Sequence, residues 1–370
     1  MGTVRSALAA ALLLSSCWAA FAGEDPNAAK TPVVRELKLS PDANSMQGSP
    51  PPPPSAQPTA PPSLAPTVAV PEPAPVIPAN AGDDAALQQA QTAIQAREFR
   101  KVVQILTGLL ANGHTFTEDQ TYSIRLMRGW ANVQDGQLSA GVEDLSIAIR
   151  MRPDGEVLPY VGRGMAYARL GKLRQAVADL GVALKHSPED ISLHEARAGM
   201  ASEIGDFDTA AEDYDYLVKA KPDDQRLVLA RAAARRSAGI NEGAAADYER
   251  AAKLGASQQT TLPALCDTLA RSDRLDDAIY QCSRALQVSA YSGAQLESRG
   301  YAYFRQGKYA QALKDFEKAV DVYPQNMRYL YERGITKVKL GDTKGGQRDM
   351  DAATRAIPDI ARGLPGKMAL

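Results

Sequence analysis

The chain has 370 residues, with 42 Lys and Arg against 43 Asp and Glu, and 45% of its residues are hydrophobic. That length accommodates several compact domains or one long repeat array, while a formal net charge of -1 excludes a globally basic nucleic-acid binder. Three cysteines and three histidines are too few for a disulfide-built scaffold or a histidine-rich metal centre, so no cofactor and no metal are expected.

Residues 1–22 read as a secretory signal, because Arg5 precedes the apolar run Ala7 to Leu14 and Ala20-Phe21-Ala22 supplies small residues at a cleavage spacing. That run is too short to span a bilayer as a helix, which needs about 20 apolar residues. Cleavage after Ala22 leaves Gly23 as the first mature residue. The stretch Leu14-Ser15-Ser16-Cys17 resembles a bacterial lipobox, which makes Cys17 the lipidated first residue; the other reading leaves Cys17 in the discarded peptide. Both readings export the protein to a periplasm, and the lipobox reading adds a lipid anchor on the outer membrane.

Residues 23–82 read as a disordered, proline-rich tether. Of 24 prolines, 16 fall in residues 1–82, including the unbroken run Pro50 to Pro54. With φ fixed and backbone donors missing, such a chain prefers extended polyproline II and builds no core. At about 3.1 Å per residue, the 32 residues from Gly48 to Ala79 reach roughly 100 Å when fully extended. A plain spacer and a ligand for a proline-recognising domain are the two readings of this composition.

From Asp83 onward the sequence repeats every 34 residues. The clearest copy runs Arg299-Gly300-Tyr301-Ala302-Tyr303, Gly307, Ala312, Phe316, Ala319 and Pro324; one period later stand Arg333-Gly334, Gly341, Met350, Ala353 and Pro358. Earlier copies carry Gly171, Ala176, Leu180, Ala183 and Pro188, then Gly205, Ala210, Tyr214 and Pro222. Each unit holds two helical patterns, split by a glycine turn and closed by a proline. This pattern resembles the tetratricopeptide repeat family, and the resemblance implies an all-α superhelical solenoid over residues 83–360, followed by a tail at 361–370. Eight units result: 83–113, 122–155, 157–190, 191–224, 225–258, 259–292, 293–326 and 327–360. The first departs from the pattern, with Arg97 at the turn glycine and an insertion at 114–121. The sixth departs too, with Asp273 at the turn, Ala290 for the closing proline and Pro263 inside its first helix, where a bend or looser packing is expected.

An arginine precedes the helix-packing small residue in six units, and an aspartate follows sixteen residues later: Arg128 and Asp144, Arg163 and Asp179, Arg197 and Asp213, Arg231 and Asp247, Arg299 and Asp315, Arg333 and Asp349. Both partners are missing from the first unit, which has Gln89 and Ile105, and from the sixth, which has Leu265 and Gln281. Joint presence and absence point to an ion pair inside each unit, against the other reading of an arginine ladder that binds a ligand. Cys266 and Cys282 sit at the same spacing, shifted by one position, in the unit that lacks the pair. They read either as buried thiols or as a disulfide between the two helices.

No HExxH, GxSxG, phosphate-loop or dinucleotide glycine pattern occurs, and His114, His186 and His194 lie apart, so a catalytic role is not expected. The resemblance places a partner groove on the first helices. Its offsets give Trp130, Met165, Tyr301, Phe304, Arg305, Tyr331, Ile335 and Lys339. Aromatics beside cations suit a peptide or helix from a partner protein, or a glycan chain on the aromatic faces; rings covering neighbouring helices are the other reading. The expected function is a scaffold or adaptor for other proteins of a bacterial cell envelope, with no nucleic-acid partner, and a glycan-binding module is the alternative.

Overall fold

The computed structural model describes residues 77–78, 81–288 and 292–363. The expected signal with Cys17, the proline-rich stretch through residue 76 and the expected tail beyond residue 363 lie outside them. The fold is an all-helical solenoid of eight helix-turn-helix pairs. These are α1 (Ala81–Gln95) and α2 (Phe99–Ala111), α3 (Glu118–Gln134) and α4 (Leu138–Met151), α5 (Val157–Arg169) and α6 (Leu173–His186), and α7 (Ile191–Glu203) and α8 (Phe207–Ala220). The second half continues with α9 (Gln225–Ser237) and α10 (Asn241–Lys253), α11 (Gln258–Ala270) and α12 (Leu275–Val288), α13 (Gly293–Arg305) and α14 (Tyr309–Val322), and α15 (Met327–Lys339) and α16 (Thr343–Ala356). Consecutive helices pack on each other along the chain, so the apolar core is a continuous ribbon rather than a single centre.

Local chemistry sets the helix ends. Asp190, Asp224 and Asn326 accept backbone N–H bonds at the starts of α7, α9 and α15, and Thr117 with Gln120 forms a reciprocal capping box before α3. Inside the pairs the turn residue lies in the left-handed region at Gly136, Gly171, Gly205, Gly239, Gly307 and Gly341. Arg97 occupies the same place in the first unit with φ 58°, the one non-glycine residue with positive φ among those described. An L side chain is disfavoured there by roughly 1–2 kcal/mol, part of which glycine gives back as chain entropy. Arg97→Gly is therefore expected to raise thermal stability by up to about 1 kcal/mol. An unchanged or lowered midpoint would mean that the Arg97 side chain makes compensating contacts.

Close approach of paired helices is carried by the small residues. A Cβ on Gly129 would lie 2.8 Å from Leu145 Cγ, and one on Gly334 would lie 2.8 Å from the carbonyl oxygen of Gly346. Pro263 does not interrupt α11, which runs as one helix from Gln258 to Ala270, so the expected local bend is not a break. At the N-terminal end, β1 (Ile77–Pro78) pairs in parallel with β2 (His114–Thr115), in the insertion. Both β1 and the start of α1 at Ala81 lie ahead of residue 83, within the stretch expected as tether. His114 Nδ1 bonds the buried Asp83 carboxylate at 2.8 and 2.9 Å beside this bridge. After α16, a 3-10 turn (Ile360–Gly363) packs on α15 and α16 with Ile360 buried, a short cover over the last unit.

Candidate functional site

All six Arg–Asp pairs join the two helices of one unit. Each arginine Nε donates to Oδ2 of its aspartate at 2.7–2.8 Å, while Nη2 donates to Oδ1. The fork is bidentate and its aspartates are nearly all buried. A third donor reaches the preceding unit: Arg163 Nη1 bonds Ser146, Arg231 Nη1 bonds Asp215, and Arg299 Nη1 bonds Ser283, at 3.0–3.2 Å. Each such arginine therefore ties its own unit and its neighbour together. Hydrogen bonds donated to the paired aspartates raise the affinity of Arg163, Arg197, Arg299 and Arg333 for their protons. Burial alone would push the Asp349 carboxyl up, yet bonds from Arg333 and Lys337 carry it below its ordinary value. In unit six a disulfide joins Cys266 and Cys282 with Cα atoms 4.5 Å apart, so a covalent bridge stands beside the place of the missing ion pair.

The expected aromatic groove is not a groove. Trp130, Tyr301, Phe304 and Ile335 are 2%, 7%, 6% and 1% exposed, because the turn from one unit to the next lays each ring or chain against its neighbour. Trp130, for instance, lies against Gly162 of the next unit, where an added Cβ would come within 2.8 Å of its ring. Met165 and Tyr331 are half-buried in the core ribbon, and Lys339 is exposed at the end of α15. Arg305 is also spent: Nη1 bonds the carbonyls of Ala270 and Ser272, and Nη2 bonds Asp273 Oδ1 at 2.7 Å. It closes the C-terminal end of α11, where a cation meets the negative end of the helix dipole. Arg169, at the same offset, bonds the carbonyl of Val133 near the end of α3.

The first-helix face opens into a hollow between units five and seven. This hollow of about 570 Å³ is lined by Arg236 and Ser237 of α9, Gly239 of the following turn, Asn241 at the start of α10, Asp267 of α11 with Arg271 just past its end, and Tyr301 of α13. Arg271 Nε donates to Asp267 Oδ1 at 2.9 Å, and Arg236 stands 3.9 Å from the same carboxylate. Of the groove residues expected from the sequence, only Tyr301 lines this hollow. Unit six lacks the ladder arginine but carries Asp267 on α11 and Arg271 just past its end, and that difference was the available signal.

Deeper along the same face the charges continue into the core. Arg328 of α15 pairs with Glu297 of α13 at 2.8 Å and with Glu332 at 3.1 Å. Burial pushes the Glu332 carboxyl well above the usual carboxylate range, and the neighbouring Glu297 raises it further. Burial raises Glu297 as well, while Arg328 and a hydrogen bond with Glu332 oppose that rise. Burial and the neighbouring Glu297 thus favour the protonated form of Glu332, whose Oε1 accepts from Arg328 Nε, while Arg328 also pairs with Glu297. A raised folded-state value means that Glu332 supports folding at low pH and that this support fades as pH climbs above the unfolded value near 4.3. Glu332→Gln, which mimics the protonated acid, is expected to gain stability over wild type as pH rises from about 5 to about 8. Urea midpoints at both ends of that range test this; a constant difference would mean that Glu332 does not change protonation.

Among the described residues, no helix is long and apolar enough to cross a membrane, and no group of three or more His, Cys, Asp and Glu is placed to hold a metal ion. A tetratricopeptide repeat family model matches residues 296–326, and a second one matches residues 201–259. Among solved structures, the chain is similar to one in the Naa15/Naa10 complex bound to HypK-THB, with 14% identity over 78% of this chain and 44% of that one, and a TM-score of 0.50. A tetratricopeptide repeat protein from Parabacteroides merdae shares 21% identity over 64% of this chain and 93% of its own, with a TM-score of 0.40. YrrB, described as a repeat protein with an unusual peptide-binding site, shares 17% identity over 49% of this chain and 93% of its own, with a TM-score of 0.38. At these identities the likeness is one of fold. No curated protein matches the sequence.

Proposed function

Because the chain is a tetratricopeptide repeat protein, we propose that it is a non-catalytic adaptor that holds a segment of a partner protein against its first-helix face, at the hollow between units five and seven. The observation that carries this reading is that Arg236, Asp267 and Arg271 remain partly exposed around an open volume of about 570 Å³, whereas the groove positions expected from the sequence are mostly consumed by packing or helix capping. The signal-like residues 1–22 and the proline-rich stretch support an exported module held away from a membrane, in a bacterial envelope, with Cys17 as its anchor under the lipobox reading. The glycan alternative loses its stacking platform, since Tyr301 and Phe304 are covered.

The test is crosslinking co-purification from intact envelopes, comparing wild type with Ala233→Trp. Ala233 is exposed and lies one turn from Arg236 and Ser237 on α9, so a large ring there obstructs the hollow without entering the core. Loss of a captured protein in a variant with unchanged helicity and melting supports the reading. Capture of the same proteins by both variants sends the partner site elsewhere. Mass spectrometry of the mature N-terminus separates Gly23 from a lipidated Cys17.

A further inference from the structure

We propose that the hollow selects an acidic side chain, Asp or Glu, within an extended segment of the partner, and that Asp267 occupies that place until the partner arrives. This deepens, and rests on, the groove reading above. Two guanidinium groups, those of Arg236 and Arg271, face one carboxylate, and the side chains of all three are 33–42% exposed. Arg271 is bidentate-capable but donates to Asp267 from Nε at 2.9 Å, while Arg236 comes no nearer than 3.9 Å, so one cation is left under-used. Glu297 also lies within electrostatic reach of Arg271 and Asp267, yet its own partner is Arg328 at 2.8 Å. With Asp267 set against both Arg236 and Arg271, the lining of the hollow carries one more cation than anion, a surplus that a carboxylate complements.

A second observation points to a peptide rather than a lone anion. The face stays open beyond the hollow: Gly199 of α7 and Ala233 of α9 are exposed, and nothing lies within 4 Å of a Cβ placed on Gly199. A chain can therefore run on through this face, which favours a side chain in mid-segment over a terminal carboxylate.

The experiment pans a random peptide display library on the full chain and measures selected peptides by fluorescence anisotropy on purified variants. Selected peptides are expected to carry one Asp or Glu at a fixed place. Its exchange for Asn or Gln should weaken binding roughly tenfold or more, as loss of a charge-assisted hydrogen bond does. Arg236→Gln with Arg271→Gln should produce the same loss, whereas Asp267→Asn should tighten binding, because it releases both cations without adding a contact. Amidating the peptide C-terminus should change nothing; loss of binding on amidation overturns the side-chain assignment. Peptides that are blocked by Ala233→Trp yet indifferent to the acid and to Asp267→Asn overturn the acidic preference and leave the groove reading standing. If every peptide ignores Ala233→Trp, or none is selected, both fall together.

Discussion

Asp213→Ala is expected to destabilise the solenoid by about 3–5 kcal/mol, the range found when one member of a buried ion pair is removed. The Asp213 side chain is 1% exposed and takes Nε and Nη2 of Arg197 at 2.8 Å, together with His194 Nδ1 at 2.6 Å. Its removal strands a guanidinium that is 18% exposed in the helix interface, and frees His194 from its place against the Tyr216 ring. The cost comes from the orphaned charge more than from the value of the bond, so a matched double replacement separates the two. Arg197→Met with Asp213→Leu should recover a large part of the loss, since an apolar pair of similar volume is often neutral or stabilising. Chemical denaturation of the two single variants and the double variant measures the coupling. If Asp213→Ala costs less than about 1 kcal/mol, the value usual for exposed pairs, the ladder is a surface ornament and not a joint.

The second large effect is at the bridge in unit six. Reduction of Cys266–Cys282, or its replacement by alanines, is expected to cost about 2–4 kcal/mol, chiefly because the unfolded chain regains the freedom of a loop closed across sixteen residues. Both sulfurs are fully buried, so the loss should appear only after the unit opens, as slow reduction under native conditions. Reduced protein and the Cys266→Ala, Cys282→Ala variant should then melt together, below the oxidised form. Equal melting of oxidised and reduced protein would mean that packing alone holds α11 against α12. Since Asp267 follows Cys266 on α11 and lines the hollow, the reduced form is also expected to bind selected peptides more weakly.

The fold was legible because its determinants are local and repeated. A turn glycine, a closing proline and small residues at fixed offsets each report one contact that must recur in every unit, and a period of 34 residues exposes them. The ion pairs were legible for the same reason: Arg and Asp vanish together from units one and six, so their partnership shows without coordinates. The candidate site was not legible. Which side of a first helix faces solvent depends on the rotation between units, and Trp130 and Tyr301 at a groove offset are turned into their neighbours. Arg305 could have been assigned correctly, since Arg169 stands at the same distance after its own ladder arginine and serves the same capping purpose. The hollow itself depends on side chains from three units converging, which no single repeat announces.

The most direct measurement is site-specific photo-crosslinking from a benzoylphenylalanine placed at Ser237, on the rim of the hollow, against one placed at Lys314, an exposed position on the second helix α14. The account predicts one discrete crosslinked partner from Ser237, competed by a selected acidic peptide, and none from Lys314. A partner captured equally from both positions, or from Lys314 alone, would contradict the assignment of the first-helix hollow as the binding site.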